Sequence, residues 1–157
     1  MKIIPYFSVG DFNLKDNIQS ILSRYPNSKE GSINVLGKKN KTLYLPTYDI
    51  HIVFSDIGGN EIESIEIFKG EIFFNELNIL NSTCLELKEI ISNEDKELIV
   101  DNEGFTSPKF GFGVYCKSLG KKSKPTSVIV FNSRYLRNDI PSPDDIIKYY
   151  LGNKSEQ

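Results

Sequence analysis

The chain has 157 residues, 39% of them hydrophobic and 25% charged, with a net charge of −2. That is the make-up of one ordinary globular domain, long enough to bury roughly two-thirds of its unfolded surface. The weakly acidic balance argues against general nucleic-acid affinity, which needs a basic surface to displace counterions, and no apolar stretch approaches the ~20 residues that span a bilayer.

From the N-terminus, MKIIPYFSVGDF carries a short apolar run without a signal-peptide pattern. Lys2 to Phe7 reads as a short strand interrupted by Pro5. Asn13 is placed to cap a helix from Leu14 to Tyr25, with Leu14, Ile18, Ile21, Leu22 and Tyr25 on one stripe. Asn27 to Gly31 reads as loop. Ile33–Leu36 and Thr42–Leu45 read as strands around a polar tip, Gly37 to Lys41.

Tyr48 to Phe68 carries the clearest signal. Tyr48, Ile50, Ile52 and Phe54 are apolar at every second position, which predicts a strand with one buried face. Asp56-Ile57-Gly58-Gly59-Asn60 predicts a tight turn, since Gly and Asn accept positive φ. In the return strand, Glu61 to Phe68, Ile62 is out of phase with Ile65 and Ile67. A β-bulge near Glu63-Ser64 restores the phase. Glu61, Glu63 and Glu66 are expected on its water-facing side.

Ile72 to Leu80 is a further extended run. Thr83 with Glu86 has capping-box spacing and opens a helix that ends at Asn93-Glu94-Asp95. Leu98–Val100 is a short strand, Asp101 to Lys109 a loop, Phe110–Cys116 a strand, Gly120–Pro125 a basic loop and Thr126–Asn132 a β-branched strand. Ser142-Pro143-Asp144-Asp145 opens a short C-terminal helix to Leu151, and residues 153–157 form a frayed tail.

The order helix, short strand, long strand, long strand occurs twice. Phe12-Asn13-Leu14 parallels Leu77-Asn78-Ile79, Tyr48-Ile50-Ile52-Phe54 parallels Phe110-Phe112-Val114-Cys116, and Glu63 to Phe68 parallels Thr126 to Phe131. The expected fold is therefore α+β in one domain, residues 1–152. A mainly antiparallel sheet carries two helices on one face, with repeats at 11–68 and 76–131. Ile50, Ile52, Ile65, Ile67, Phe112, Val114, Val128 and Val130 would face the helices. Asp49, His51, Val53, Glu66, Phe68, Tyr115, Lys117, Ile129 and Phe131 would face away. That outer set is either an interaction surface or is covered by loops and the C-terminal helix.

This tandem arrangement of a Phe-x-Leu or Leu-x-Ile lead-in, a short helix and an antiparallel meander, covering Asp11 to Asn132, resembles the duplicated layout of bacterial inhibitor proteins such as the β-lactamase inhibitory protein. It also resembles small immunity proteins that neutralise contact-delivered bacterial toxins. Cys84 and Cys116 lack CxxC spacing and are not spaced as in-repeat disulfides. They are expected as reduced, buried thiols of a cytoplasmic protein, which favours the immunity protein over the secreted inhibitor. The resemblance implies a non-catalytic binder of a toxin domain that needs no cofactor. Asp49, His51, Glu61, Glu63, Glu66, Phe68, Tyr115 and Phe131 are the candidate contact residues.

No catalytic constellation is expected. The lone His51 could pair with Asp49 as a proton shuttle, but Cys116 is on the opposite face, and a single strand histidine reads as a surface residue. No zinc-ligand spacing occurs, and Gly111-x-Gly113 within a strand is no dinucleotide loop. The alternatives are a small-molecule or enzymatic cleft near His51 and Tyr115, and nucleic-acid contacts through Lys38, Lys39, Lys41, Lys121, Lys122 and Lys124. The second would show steep salt dependence.

Overall fold

The computed structural model describes residues 1–35, 37–56 and 60–136. The expected C-terminal helix and tail, and Gly58-Gly59 of the expected turn, lie outside the described residues. In order, the elements are β1 (Ile3–Ile4), β2 (Ser8–Val9), β3 (Phe12–Asn13), α1 (Ile18–Arg24), β4 (Lys29–Val35), β5 (Lys38–Leu45), β6 (Ile50–Phe54) and β7 (Ile62–Ile67). There follow β8 (Phe73–Phe74), β9 (Leu77–Asn78), a 3₁₀ turn at Ile79–Asn81, α2 (Cys84–Glu94), β10 (Ile99–Asp101), β11 (Gly104–Ser107), β12 (Phe112–Tyr115) and β13 (Ser127–Phe131).

Period-two alternation builds the main sheet. Its strand order is β10-β11-β12-β13-β7-β6-β5-β4, and every pairing is antiparallel. Ile50, Ile52, Ile65, Ile67, Phe112, Val114, Val128 and Val130 all face inward. They share one buried cluster with Ile18 and Ile21 of α1 and Cys84, Leu87 and Ile91 of α2, so both helices cover the same sheet face. The arrangement is α+β. No described helix is long and apolar enough to cross a membrane.

The sheet reads the same from either end once β4–β7 are matched to β10–β13. Individual hydrogen bonds repeat as well. Leu14 N donates to Phe7 O at 2.8 Å, as Ile79 N does to Ile72 O at 2.8 Å. Phe68 N donates to Asp49 O at 3.1 Å, as Phe131 N does to Gly111 O at 3.0 Å. The backbone turns sharply at equivalent places, with φ 54° at Gly10 and 52° at Asn75, and 54° at Asp49 and 68° at Gly111. The correspondence starts at β2 and β8, earlier than the expected repeat bounds. The largest differences in element length are in α2, with 11 residues against 7 in α1, and in the β4–β5 hairpin, which is longer than β10–β11.

Local signals were met in part. Thr83 Oγ1 accepts from Glu86 N and the Glu86 carboxylate accepts from Thr83 N, both at 3.2 Å, closing the expected capping box. The bulge falls at Glu63, where the β6–β7 register slips between Val53 and Phe54. Asn60 holds a φ of 60°.

Other expectations need correction. Helix α1 is capped by Asn17, whose Oδ1 accepts from Ser20 N at 3.0 Å. Asn13 instead closes a local turn, accepting from Lys15 N at 2.9 Å. Lys38, Lys39 and Lys41 lie along β5 rather than in a hairpin tip, and β4 begins at Lys29, within the segment read as loop. Gly104–Ser107, also read as loop, is strand β11 and is the structural counterpart of β5.

The cysteines are bonded to each other, not reduced. Cys84 at the start of α2 and Cys116 after β12 form a disulfide with a Cα–Cα distance of 6.4 Å. It lies within the second half of the chain and ties its helix to its sheet. In the first half, the matching positions hold Ile18 and Phe54, which pack as apolar side chains. The sequence separation of 32 residues hid this pairing, because β10 and β11 fold between the two cysteines. The bond joins two positions of one repeat, contrary to the expected spacing, and disulfides persist in oxidising compartments, so the reduced-thiol basis for a cytoplasmic location and for setting aside the secreted inhibitor is removed.

The lower end of the second half is held by a buried carboxylate. Asp95 caps α2 and accepts hydrogen bonds from Ser107 Oγ at 2.7 Å, Glu97 N at 2.9 Å and Lys109 N at 3.1 Å. Burial works to raise its pKa, but these bonds and the Lys109 ammonium outweigh it and hold the carboxyl below the usual aspartate value.

Candidate functional site

Side chains between the inward ones point to the opposite sheet face. One cross-strand row runs Thr106, Gly113, Ile129, Glu66, His51 and Tyr44. On this face the exposed groups gather at one end. His51 is exposed, with the Tyr44 ring edge-on at 4.8 Å and the Phe68 ring edge-on at 6.1 Å. Phe68 is 39% and Tyr115 36% exposed. The Tyr44 hydroxyl donates to Asp49 Oδ1 at 3.2 Å. Partial burial, this bond and the Asp49 charge raise the Tyr44 phenol above its ordinary pKa.

Beside these residues is an open depression of about 330 Å³, lined by Glu66, Phe68, Glu103, Tyr115, Cys116, Lys117, Thr126 and Ser127. Glu66 is half-buried, and its Oε1 accepts from Ser127 Oγ at 2.7 Å. Tyr115 O accepts from Thr126 N at 2.8 Å and from Thr126 Oγ1 at 3.2 Å, which fixes that wall.

The structure thus brings together Asp49, His51, Glu66, Phe68 and Tyr115 at one end of the outer face. The other three expected contact residues lie elsewhere. Phe131 faces outward by alternation but is fully buried, because the chain turns back after β13 and stacks the Tyr135 ring on it at 4.6 Å, with the Tyr6 ring edge-on at 6.2 Å. Glu63 is 8% exposed: the bulge swings it against Asn40, whose Nδ2 donates to Glu63 Oε2 at 3.0 Å. Glu61 is half-buried beside Asn17, in a single antiparallel bridge. The acidic side of the return strand is therefore reduced to Glu66.

Asp49 and His51 do not share a strand face as a pair. Asp49 sits in the turn before β6, and its carboxylate is engaged by Tyr44. His51 does not line the depression. No group of three His, Cys, Asp or Glu among the described residues is placed to hold a metal. The surface presents aromatic rings that can stack and carboxylates that can meet cationic groups.

Sequence reasoning missed Tyr44, Glu103 and Ser127 as members of this surface. Tyr44 was accessible from the alternation of Thr42, Leu43, Tyr44 and Leu45. Glu103 was not, since it falls in a segment without periodicity. Comparison with protein-family models, curated proteins and solved structures returns no match.

Proposed function

We propose that this chain is a non-catalytic protein-binding inhibitor, an immunity protein that neutralises a cognate bacterial toxin by covering its active site. The observation that carries the reading is the cluster of exposed His51, Phe68 and Tyr115 beside Glu66, on a sheet face that the two helices do not cover. Aromatic anchors set in a rigid sheet supply affinity at small entropic cost, and carboxylates steer a basic partner such as a nuclease. The disulfide suits a protein that meets its partner in an oxidising compartment, and we favour that setting over the cytoplasm.

The test is protection. The chain is co-expressed with the toxin domain encoded beside its gene, in the compartment where that toxin acts. Wild type should restore growth and form a stable complex. The Glu66→Lys, Phe68→Ala double variant, checked for unchanged melting temperature, should do neither. Equal protection by both would remove this face as the interface, and protection by neither would remove the immunity reading.

A second reading, a small-molecule or enzymatic site, draws on the depression beside Tyr115. It predicts a ligand whose binding is lost in Tyr115→Ala and is kept in the absence of any protein partner.

A further inference from the structure

The two ends of the outer face are equivalent positions of the repeated layout, and among the described residues only one of them is filled. Phe68 follows β7 as Phe131 ends β13, and Ser127 beside Phe68 matches Ser64 beside Phe131. At Phe131 the chain supplies its own guest. The Tyr135 ring lies nearly parallel on it, at an interplanar angle of 20°, and Phe131 is closed from solvent. At Phe68 the chain runs on through Lys69 and Gly70 toward β8, and the ring stays exposed over the open depression. One layout therefore shows what a closed site looks like: a flat group laid on the phenylalanine.

Charge distinguishes the open site from the closed one. Where the layout puts Ile129 in one half it puts Glu66 in the other, and Glu103 lines the depression as well. One oxygen of Glu66 is taken by Ser127. Lys117 on the same wall opposes the two acids, leaving the lining net negative. A guest that is both flat and cationic satisfies the rings and the carboxylates together. Guanidinium is such a group, since it stacks on aromatic faces and presents a fork of donors to carboxylates, whereas an ammonium offers no plane.

We propose that the depression between Phe68 and Tyr115 is a subsite for an arginine side chain of a protein partner, stacked on Phe68 and held by Glu66 and Glu103. This deepens the protein-binding reading above and rests on it.

The experiment is an NMR titration of the ¹⁵N-labelled full chain with Nα-acetyl-arginine amide, with the citrulline and lysine counterparts as controls. Citrulline keeps the shape without the charge, and lysine keeps the charge without the plane. Arginine should give saturable shifts at Glu66, Phe68, Tyr115 and Ser127, with both controls weaker. Phe68→Ala should weaken arginine binding about two- to fivefold, the worth of an exposed cation–π contact. Lys117→Gln should tighten it by up to about fivefold, as expected for removing one like charge at the surface. Citrulline binding as tightly as arginine, shifts mapping elsewhere, no binding, or weaker binding in Lys117→Gln would each overturn the proposal. Toxin protection that survives Glu66→Gln with Glu103→Gln would overturn the arginine subsite and leave the docking face. Arginine binding in a chain that protects against no toxin would support the subsite and remove the immunity reading.

Discussion

Breaking the Cys84–Cys116 bond without changing any side chain isolates the worth of the crosslink. The bond closes a segment with a sequence separation of 32 residues. In the chain-entropy account, a loop of that length constrains the unfolded ensemble by roughly 3–4 kcal/mol. Against a total of about 5–15 kcal/mol for a domain, that is a large share. The assay is urea unfolding followed by circular dichroism, with and without a phosphine reductant, with thiol labelling to count free sulfhydryls. With a slope of about 1–3 kcal/mol per molar urea, the midpoint should fall by roughly 1–4 M on reduction. Cys84→Ala with Cys116→Ala should fall further, because both sulfurs are buried in the core and their removal adds a cavity term. Full reduction without a shift in midpoint would refute the reasoning, and thiols that label in the folded, unreduced protein would refute the bond itself.

Three further outcomes follow from the described geometry. Gly104→Ala should destabilise by about 3 kcal/mol or more in the same assay: a Cβ there would sit 1.9 Å from Val114 O, and the backbone holds a φ of 137°. Asp95→Asn should cost about 1–3 kcal/mol, since an amide cannot accept from Ser107, Glu97 and Lys109 together. Because the folded pKa of Asp95 is lowered, its stabilisation is present above the unfolded value and lost as pH falls through the folded one. The variant's stability should therefore change less than wild type between neutral and strongly acidic pH, measured by thermal melts. Thr83→Ala should lower stability by about 1 kcal/mol through loss of the capping box, read as a shift in the same urea midpoint.

Elements whose residues interact with near neighbours were legible in the sequence. The alternation of Ile50, Ile52 and Phe54, the Thr83–Glu86 box and the bulge at Glu63 each depend on spacing within a few residues. The lead-ins Phe12-Asn13 and Leu77-Asn78 keep the same place before each helix, but each helix is followed by four sheet strands where three were expected. Long-range partners decided the failures. Strand β11 starts at Gly104, which has no side chain to show alternation and is there because the Val114 carbonyl leaves no room for one. Phe131 had the right phase for the outer face, but phase cannot reveal that Tyr135 returns to cover it. Of the candidate site, the outward set around His51 and Phe68 was readable from period two. Glu103 and the burial of Glu63 were not, since both depend on which strands become neighbours.

The meeting of β7 and β13 at the centre of the sheet has a consequence for how the chain acquires its shape. Each half ends on the strand that must find the other, so the middle seam joins residues far apart in sequence, such as Ile65 with Val130 and Ile67 with Val128. Until Ser127–Phe131 has been synthesised, β7 presents an unpaired edge rich in isoleucine, the kind of edge that pairs with other chains. The first meander can form early from local contacts, but its most apolar border stays open for the time it takes to make the second. The last of the described strands is thus the one that seals the sheet's middle seam, and a chain stopped just short of it would expose the β7 edge.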